Sequence, residues 1–250
     1  MSRTSTVLIT GCSSGFGLET ARLFLDKGWH VIATMRTPRT DLLAPSTKLR
    51  VLALDITDAQ SIRSCVEQAG PIDALVNNAG IGLLGPLEGT AMASAREVFE
   101  TNVLGTIAMT QAVLPQLRER KAGVIVNVTS SVTLKPLPLL SAYTGSKAAV
   151  NALAESLDLE LAPFGVRARL VLPGRAPGTR FGENARRRVD GSTHAAYADF
   201  TQQAFAAMRD GNSPVTLAQD VAEAVWRAVT DPAAPMRIPA GADAVALAGC

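Results

Sequence analysis

Residues 6–28 read TVLITGCSSGFGLETARLFLDKG, and this stretch decides the fold. Its first residues, TVLIT, are a short apolar run stopped by a glycine, as expected of a buried parallel strand. Further on, apolar residues recur at Leu18, Ala21 and Leu25, a helical spacing, and Gly28 supplies a C-terminal stop. Between strand and helix, TGCSSGFG places Gly11, Gly15 and Gly17 in a loop with Ser13, Ser14 and Phe16. Glycine permits a tight turn and close backbone approach, and a helix start offers free N–H groups that suit a pyrophosphate. The spacing is G-x-x-x-G-x-G, distinct from G-x-G-x-x-G. No Gly-Lys-Ser/Thr follows, so a nucleotide-hydrolase loop is excluded. Taken alone, the loop also reads as a tight turn that binds nothing.

Outward from this unit the pattern repeats. HVIATM (30–35), LRVLALD (49–55), IDALVNNAG (72–80), AGVIVNVTS (122–130) and GVRARLVLPG (165–174) read as strands with their exit loops. Residues 58–70, 93–120 and 141–163 read as helices, the first with Asp58 as N-cap. Alternating helices and non-alternating apolar strands predict an α/β fold: one doubly wound parallel sheet of the Rossmann type, about seven strands, with helices on both faces. No repeat or linker divides residues 1–250, so a single domain is expected. The pattern weakens over 173–214, a long excursion of the kind that closes over a ligand.

Composition narrows the class. Hydrophobic residues make up 47% of the chain and charged residues 18%, which argues against disorder. The net charge is +2, and the densest basic spot, ARRRV at 185–189, reads as a solvated helix face, so no nucleic-acid partner is expected. The N-terminal apolar run is too short for a signal-peptide core, and no run reaches the roughly 18 apolar residues of a membrane span. A soluble, cytoplasmic protein is expected. Cys12, Cys65 and Cys250 lie far apart without metal-ligand spacing, so reduced thiols and no metal are expected. Cys12 reads as a loop filler, although a helix start could favour its thiolate. His30 and His194 read as structural or surface residues.

A dinucleotide site usually ends its second strand on an acidic residue that grips the ribose 2′-hydroxyl. Here the strand ends IATMRTPR: Arg36 comes next and Arg39 is close. A guanidinium suits a 2′-phosphate, so NADP(H) is preferred over NAD(H); a surface arginine is the alternative. Asp55, ending strand three, is placed to accept from an adenine amino group or simply to start the next helix. Tyr143 and Lys147 stand four residues apart and so share a helix face. A nearby cation favours phenolate, so Lys147 is expected to lower the Tyr143 pKa and make the phenol an acid or base.

TGCSSGFG, NNAG at 77–80, the NV of Asn102, the serine of NVTSS, YTGSK and the PG at 173–174 occur in this order. The chain thereby resembles the short-chain dehydrogenase/reductase family over roughly residues 6–240, with a weaker similarity of its tail to steroid- and retinol-dehydrogenase-like members. The resemblance implies a catalytic quartet of Asn102, Ser130, Tyr143 and Lys147, with Ser131 the lesser candidate for the serine. It implies cofactor contacts from Gly11, Ser13, Ser14, Gly15, Phe16 and Gly17, from Arg36, Asp55 and Ile56, from Asn77, Asn78, Ala79 and Gly80, and from Tyr143, Lys147, Pro173 and Gly174. It further implies that Lys147 holds the nicotinamide ribose and that Asn102 anchors a water leading to Lys147. The helices at 93–120 and 141–163 resemble the family's interface pair, which implies a homodimer or homotetramer. One departure stands out: Thr179 follows Pro173 by six residues, where the family usually has a threonine at five.

These readings converge on an NADP(H)-dependent oxidoreductase that interconverts a ketone or aldehyde and an alcohol, with Tyr143 as general acid or base and Ser130 polarising the substrate oxygen. A cofactor-binding sensor of the same fold that has lost catalysis is the alternative. An epimerase or dehydratase would need a larger C-terminal part than follows strand six. Leu134, Leu137, Leu139 and Leu140 suit an apolar pocket wall, and hence a small apolar substrate, and equally suit ordinary packing.

Overall fold

The structure is a computed structural model that describes residues 4–179, 182, 184–185, 195–208 and 214–249. The three arginines of the ARRRV segment, His194, Cys250 and much of the 173–214 excursion lie outside the described residues.

One sheet organises the chain, with strands in the order β3-β2-β1-β4-β5-β6-β7. They are β1 (Thr6–Ile9), β2 (His30–Met35), β3 (Leu49–Ala53), β4 (Ala74–Asn77), β5 (Gly123–Val128), β6 (Val166–Pro173) and β7 (Arg237–Ala240). Every neighbouring pair is parallel. The described helices are α1 (Gly15–Asp26), α2 (Ala59–Ala69), α3 (Met92–Phe99), α4 (Gly105–Arg120), α5 (Ser141–Leu161), α6 (Ala198–Met208), α7 (Ala218–Thr230) and α8 (Ala242–Ala248). Asp58 caps α2 as expected, accepting from the Gln60 N–H at 2.8 Å.

Successive strand residues point to opposite faces, and both faces are buried. Val7, Ile9, Val31, Ala33, Val76 and Val126 pack with Phe24 of α1 and Val221 and Val225 of α7. Leu8, Ile32, Leu75 and Ile125 pack with Ile62 of α2, Met109 and Val113 of α4, and Leu157 of α5. This two-sided core explains why the strands read as unbroken apolar runs.

Two features differ from the sequence reading. The helix expected over 93–120 is interrupted by a π turn, Glu100–Leu104, between α3 and α4. Asn102 lies in that turn, and its amide bonds the main chain of Ile81 twice: Oδ1 accepts from the Ile81 N–H at 2.8 Å and Nδ2 donates to the Ile81 carbonyl at 2.9 Å. A π turn re-aims a side chain within an otherwise helical run, and apolar periodicity does not register it. The second feature is the C-terminal part, where α7, β7 and α8 were not located from sequence. Of these, β7 completes the sheet edge beside β6.

Candidate active site

The strand order reverses at β1, which has β2 on one side and β4 on the other. Ligands of doubly wound folds bind in the crevice at such a point, beyond the carboxyl ends of the strands. Here the crevice is laced by Thr10, whose hydroxyl accepts from the Asn78 and Ala79 N–H groups at 3.0 and 2.9 Å. In return Asn78 Nδ2 donates to the Thr10 and Gly11 carbonyls at 2.8 and 3.2 Å. The two loops approach so closely that a Cβ on Gly11 would lie 2.9 Å from Ala79 Cα, and one on Gly17 only 2.5 Å from the Gly11 carbonyl oxygen. Gly11 also has φ +75° and Gly15 φ +57°, conformations that only glycine adopts readily.

A cleft of about 420 Å³ opens at this crevice. Of the expected contacts, Gly11, Ser13, Ser14, Gly15, Phe16, Arg36, Asp55, Ile56, Asn78, Ala79 and Gly80 line it. Gly17 does not; its role is the close packing just described. Asn77 does not either. It is buried on β4, where Nδ2 donates to Thr110 Oγ1 at 3.1 Å and to Asn127 Oδ1 at 3.0 Å, and so ties the sheet to α4. Its side chain thus serves the packing of the sheet, because the side chain of a strand residue next to the turn points into a layer rather than out of the edge. Pro173 and Gly174 lie at the end of β6, outside this cleft.

The two arginines after β2 differ. Arg39 is tied to Asp41 by two bonds, of 3.3 and 2.7 Å. Arg36 lines the cleft, and its charge contributes to holding the Asp55 carboxyl below its usual range. The larger causes are the Thr57 hydroxyl and N–H, which donate to Asp55 Oδ1 at 2.7 and 2.9 Å. A cation thus faces the space where β2 ends.

The candidate quartet gathers between β5 and α5. Tyr143 is 5% exposed and Lys147 6%. A hydrogen bond joins the Tyr143 and Ser130 hydroxyls. Ser130 Oγ accepts from the Val132 N–H at 3.3 Å, which leaves its own proton free to donate. Lys147 Nζ donates to the Val128 carbonyl at 3.0 Å and stands 6.0 Å from the Tyr143 ring centroid. Asn102 is pinned to α5 as well, since Nδ2 donates to Ser146 Oγ at 3.0 Å while Ser146 donates to the Tyr143 carbonyl at 2.7 Å. Gly80 bridges cleft and quartet: a Cβ there would lie 3.1 Å from Asn102 Oδ1 and 3.4 Å from Lys147 Nζ.

A family model described as short chain dehydrogenase matches residues 5–190. The chain belongs to that family. Among solved structures, a short-chain dehydrogenase from Streptomyces avermitilis superposes on this chain with a TM-score of 0.83 at 31% identity, covering 99% of this chain and 91% of that one. Retinol dehydrogenase 8 of Bos taurus is 40% identical over 183 residues, 68% of this chain and 58% of its own length. Estradiol 17-beta-dehydrogenase 1 of Rattus norvegicus is 36% identical over 253 residues, 92% of this chain and 72% of its own length. The chain spans roughly three fifths of the first curated relatives it matches (58–63%). The fold of the family binds nicotinamide cofactors. Among the described residues no helix is long and apolar enough to cross a membrane.

The electrostatics of the quartet differ from one expectation. Lys147 does not lower the Tyr143 pKa here. Burial raises the phenol well above its ordinary value, and the Ser130 hydrogen bond only partly opposes this. Lys147 itself is pushed down to about 8 by the same burial. The physical reason is direction: adjacency at i and i+4 brings the two residues to one face, but the ammonium points at a backbone carbonyl and leaves desolvation to dominate. Near neutral pH the pair therefore rests as neutral phenol and ammonium, a proton donor beside a cation. Cys12 follows the bland reading. It is fully buried, its thiol donates to the Ile9 carbonyl at 3.3 Å, and burial drives its pKa up to about 12.

The cleft also has walls that sequence reading missed. Glu97, Glu100 and Thr101 come from the end of α3 and the π turn, and Thr57, Ile81 and Gly82 from the strand exits. Thr179 lines the cleft too and covers Gly15, with its Cβ 3.5 Å from where a Gly15 side chain would begin. The displaced threonine therefore rests over the glycine loop.

Proposed function

We propose that the chain is an NADP(H)-dependent oxidoreductase that interconverts a ketone or aldehyde and an alcohol, with Tyr143 as the general acid or base. The observation that carries this reading is the buried Tyr143 hydroxyl, bonded to Ser130 and backed by Lys147, beside a glycine-lined cleft. The groups present fit the cofactor. The glycine loop and the α1 N-terminus would cradle the pyrophosphate, Asn78, Ala79, Gly80, Asp55 and Ile56 would wall the adenosine, and Arg36 would meet the 2′-phosphate. From the resemblance, Pro173 and Gly174 would flank the nicotinamide and Lys147 would hold its ribose. The cofactor, when bound, gives or takes a hydride.

In the reductive direction Ser130 donates a hydrogen bond to the substrate oxygen and stabilises the charge that develops there. Tyr143, neutral at rest, gives that oxygen its proton. Asn102 fixes the main chain next to Lys147 and keeps the quartet in register. Leu84, Val132 and Leu140 pack against Tyr143, which favours an apolar alcohol or ketone; the named substrates of the retinol and estradiol relatives agree with that class. The whole chain acts as one domain with the 173–214 excursion as lid, and it pairs with further copies through the 93–120 and 141–163 helices.

The test is to mix the protein with NADPH and a panel of apolar ketones and follow cofactor absorbance. Turnover is expected with NADPH and more weakly with NADH, and Arg36→Asp should shift the preference toward NADH by about 10-fold or more. Tight NADPH binding without turnover across a broad panel would instead favour the non-catalytic sensor.

A further inference from the structure

The excursion after β6 leaves the sheet at Gly174 and returns at Thr216, and a polar cluster closes its neck. The Gly174 N–H donates to Thr216 Oγ1 at 2.9 Å and to the Ala240 carbonyl at 3.3 Å. The Thr216 N–H donates to the Arg175 carbonyl at 2.8 Å. Beneath both lies Asp243, in the first turn of α8. Its carboxylate accepts from the Arg175 N–H and, at 2.7 Å, from the Thr216 hydroxyl. The fit is close enough that a Cβ on Gly174 would collide with the Asp243 carboxylate. A charged acceptor thus holds one backbone N–H and one side-chain hydroxyl at the root of the excursion, and bonds to ionised groups are the stronger kind.

What this root carries is visible a few residues on. The Thr179 N–H and hydroxyl both donate to the Ala176 carbonyl, at 3.2 and 2.9 Å, forming a turn that starts directly after the clamp. That turn sets Thr179 over Gly15 and into the cleft wall.

We propose that Asp243 is a positioning residue for cofactor binding: through the neck at Gly174, Arg175 and Thr216 it fixes the turn that lays Thr179 over the glycine loop. The proposal rests on reading the cleft as the nicotinamide-cofactor site. Asp243 touches neither the cleft nor the quartet, so its effect is on the affinity for cofactor and not on the chemical step.

The experiment titrates NADPH calorimetrically into the purified wild-type protein and into Asp243→Ala, Asp243→Asn, Thr179→Val and the Asp243→Ala/Thr179→Val double variant. Circular dichroism first confirms that each is folded. Failure of the wild type to bind NADPH refutes the cofactor reading itself. With that binding present, Asp243→Ala is expected to weaken it about 10-fold or more, the effect of losing bonds to a charged acceptor. Asp243→Asn, which keeps an acceptor for the Arg175 N–H, should recover most of the loss. The double variant should bind no more weakly than the weaker single one, since both act through one turn. In turnover assays KM for NADPH should rise while kcat at saturation stays within about threefold. A folded Asp243→Ala protein that binds NADPH within about twofold of wild type, whatever its melting temperature, overturns the proposal, as do fully additive losses in the double variant. If Asp243→Ala does not fold, Asp243→Ser replaces it with the same two outcomes.

Discussion

The two ends of α1 are built for opposite purposes. Its N-terminus, from Gly15, faces the cleft, flanked by glycines in left-handed conformations and by loops held together through the side chains of Thr10 and Asn78. Its C-terminal half buries Phe24 completely. There the Phe24 ring meets Trp29 and Trp226 edge-on, with centroids 5.2 and 5.0 Å away, and the two indoles lie 5.9 Å apart. Both tryptophans of the chain sit in this one cluster. At one end, backbone N–H groups are left without helical partners and small residues keep the space open, which forgoes burial. At the other, large rings remove apolar area from water and gain edge-to-face contacts worth about 0.5–1.5 kcal/mol each. One helix therefore separates function from stability along its own length, and the two should respond independently to substitution.

The strongest way to break that separation is at the reactive side. Tyr143→Phe keeps the ring and removes only the hydroxyl bonded to Ser130. Turnover should fall by about 10²–10⁴-fold, the range for loss of a positioned general acid. NADPH affinity should stay close to wild type, because the hydroxyl lies outside the glycine cradle. Retained turnover would assign the proton to another group. At the opposite end, Phe24→Ala should leave cofactor affinity alone and lower stability by about 3–5 kcal/mol, through lost burial and the cavity left beside the two indoles. Chemical denaturation followed by tryptophan emission measures this directly, since the reporters line the cavity. A stability loss under about 1 kcal/mol, or an equal loss of cofactor affinity, would remove the contrast between the ends.

This contrast was only half legible in the sequence. The glycine end announced itself, because a strand, a turn and a helix start are local events that TVLITGCSSGFG encodes within a few residues. The aromatic end did not, since Phe24, Trp29 and Trp226 come from α1, the residue before β2 and α7, and nothing in periodicity says that they meet. The candidate site divides the same way. Ordered motifs placed the quartet, and most of the expected cradle lines the cleft. The π turn was invisible, so Glu97, Glu100 and Thr101 were missed as cleft walls. Asp243 was missed because a lone carboxylate in an alanine-rich tail shows no partner until the chain folds. The acidity of Tyr143 was misread for a related reason: spacing along a helix gives proximity, whereas pKa depends on burial and on where the ammonium points, and both are tertiary.

That misreading has a measurable consequence for Lys147, the smallest effect considered. Its folded pKa, about 8, lies below the ordinary lysine value of 10.5 because burial disfavours the ammonium. Between those two values the unfolded chain binds the proton more fully than the folded one. Stability contributed by this group therefore rises with pH across the window, by up to about 1.4 kcal/mol per unit. Tyr143 opposes it only above about pH 10, where an unfolded phenol ionises and the buried one stays neutral. Lys147→Met retains a chain of similar length without the charge, so its unfolding free energy should lack this rise between pH 8 and 10, while the two proteins keep parallel profiles below pH 7. Denaturant titrations at half-unit intervals would resolve the difference. A Lys147→Met profile as steep as wild type would mean that the ammonium is well solvated in the folded protein. The neutral resting phenol would then have to be explained without a dry site around it.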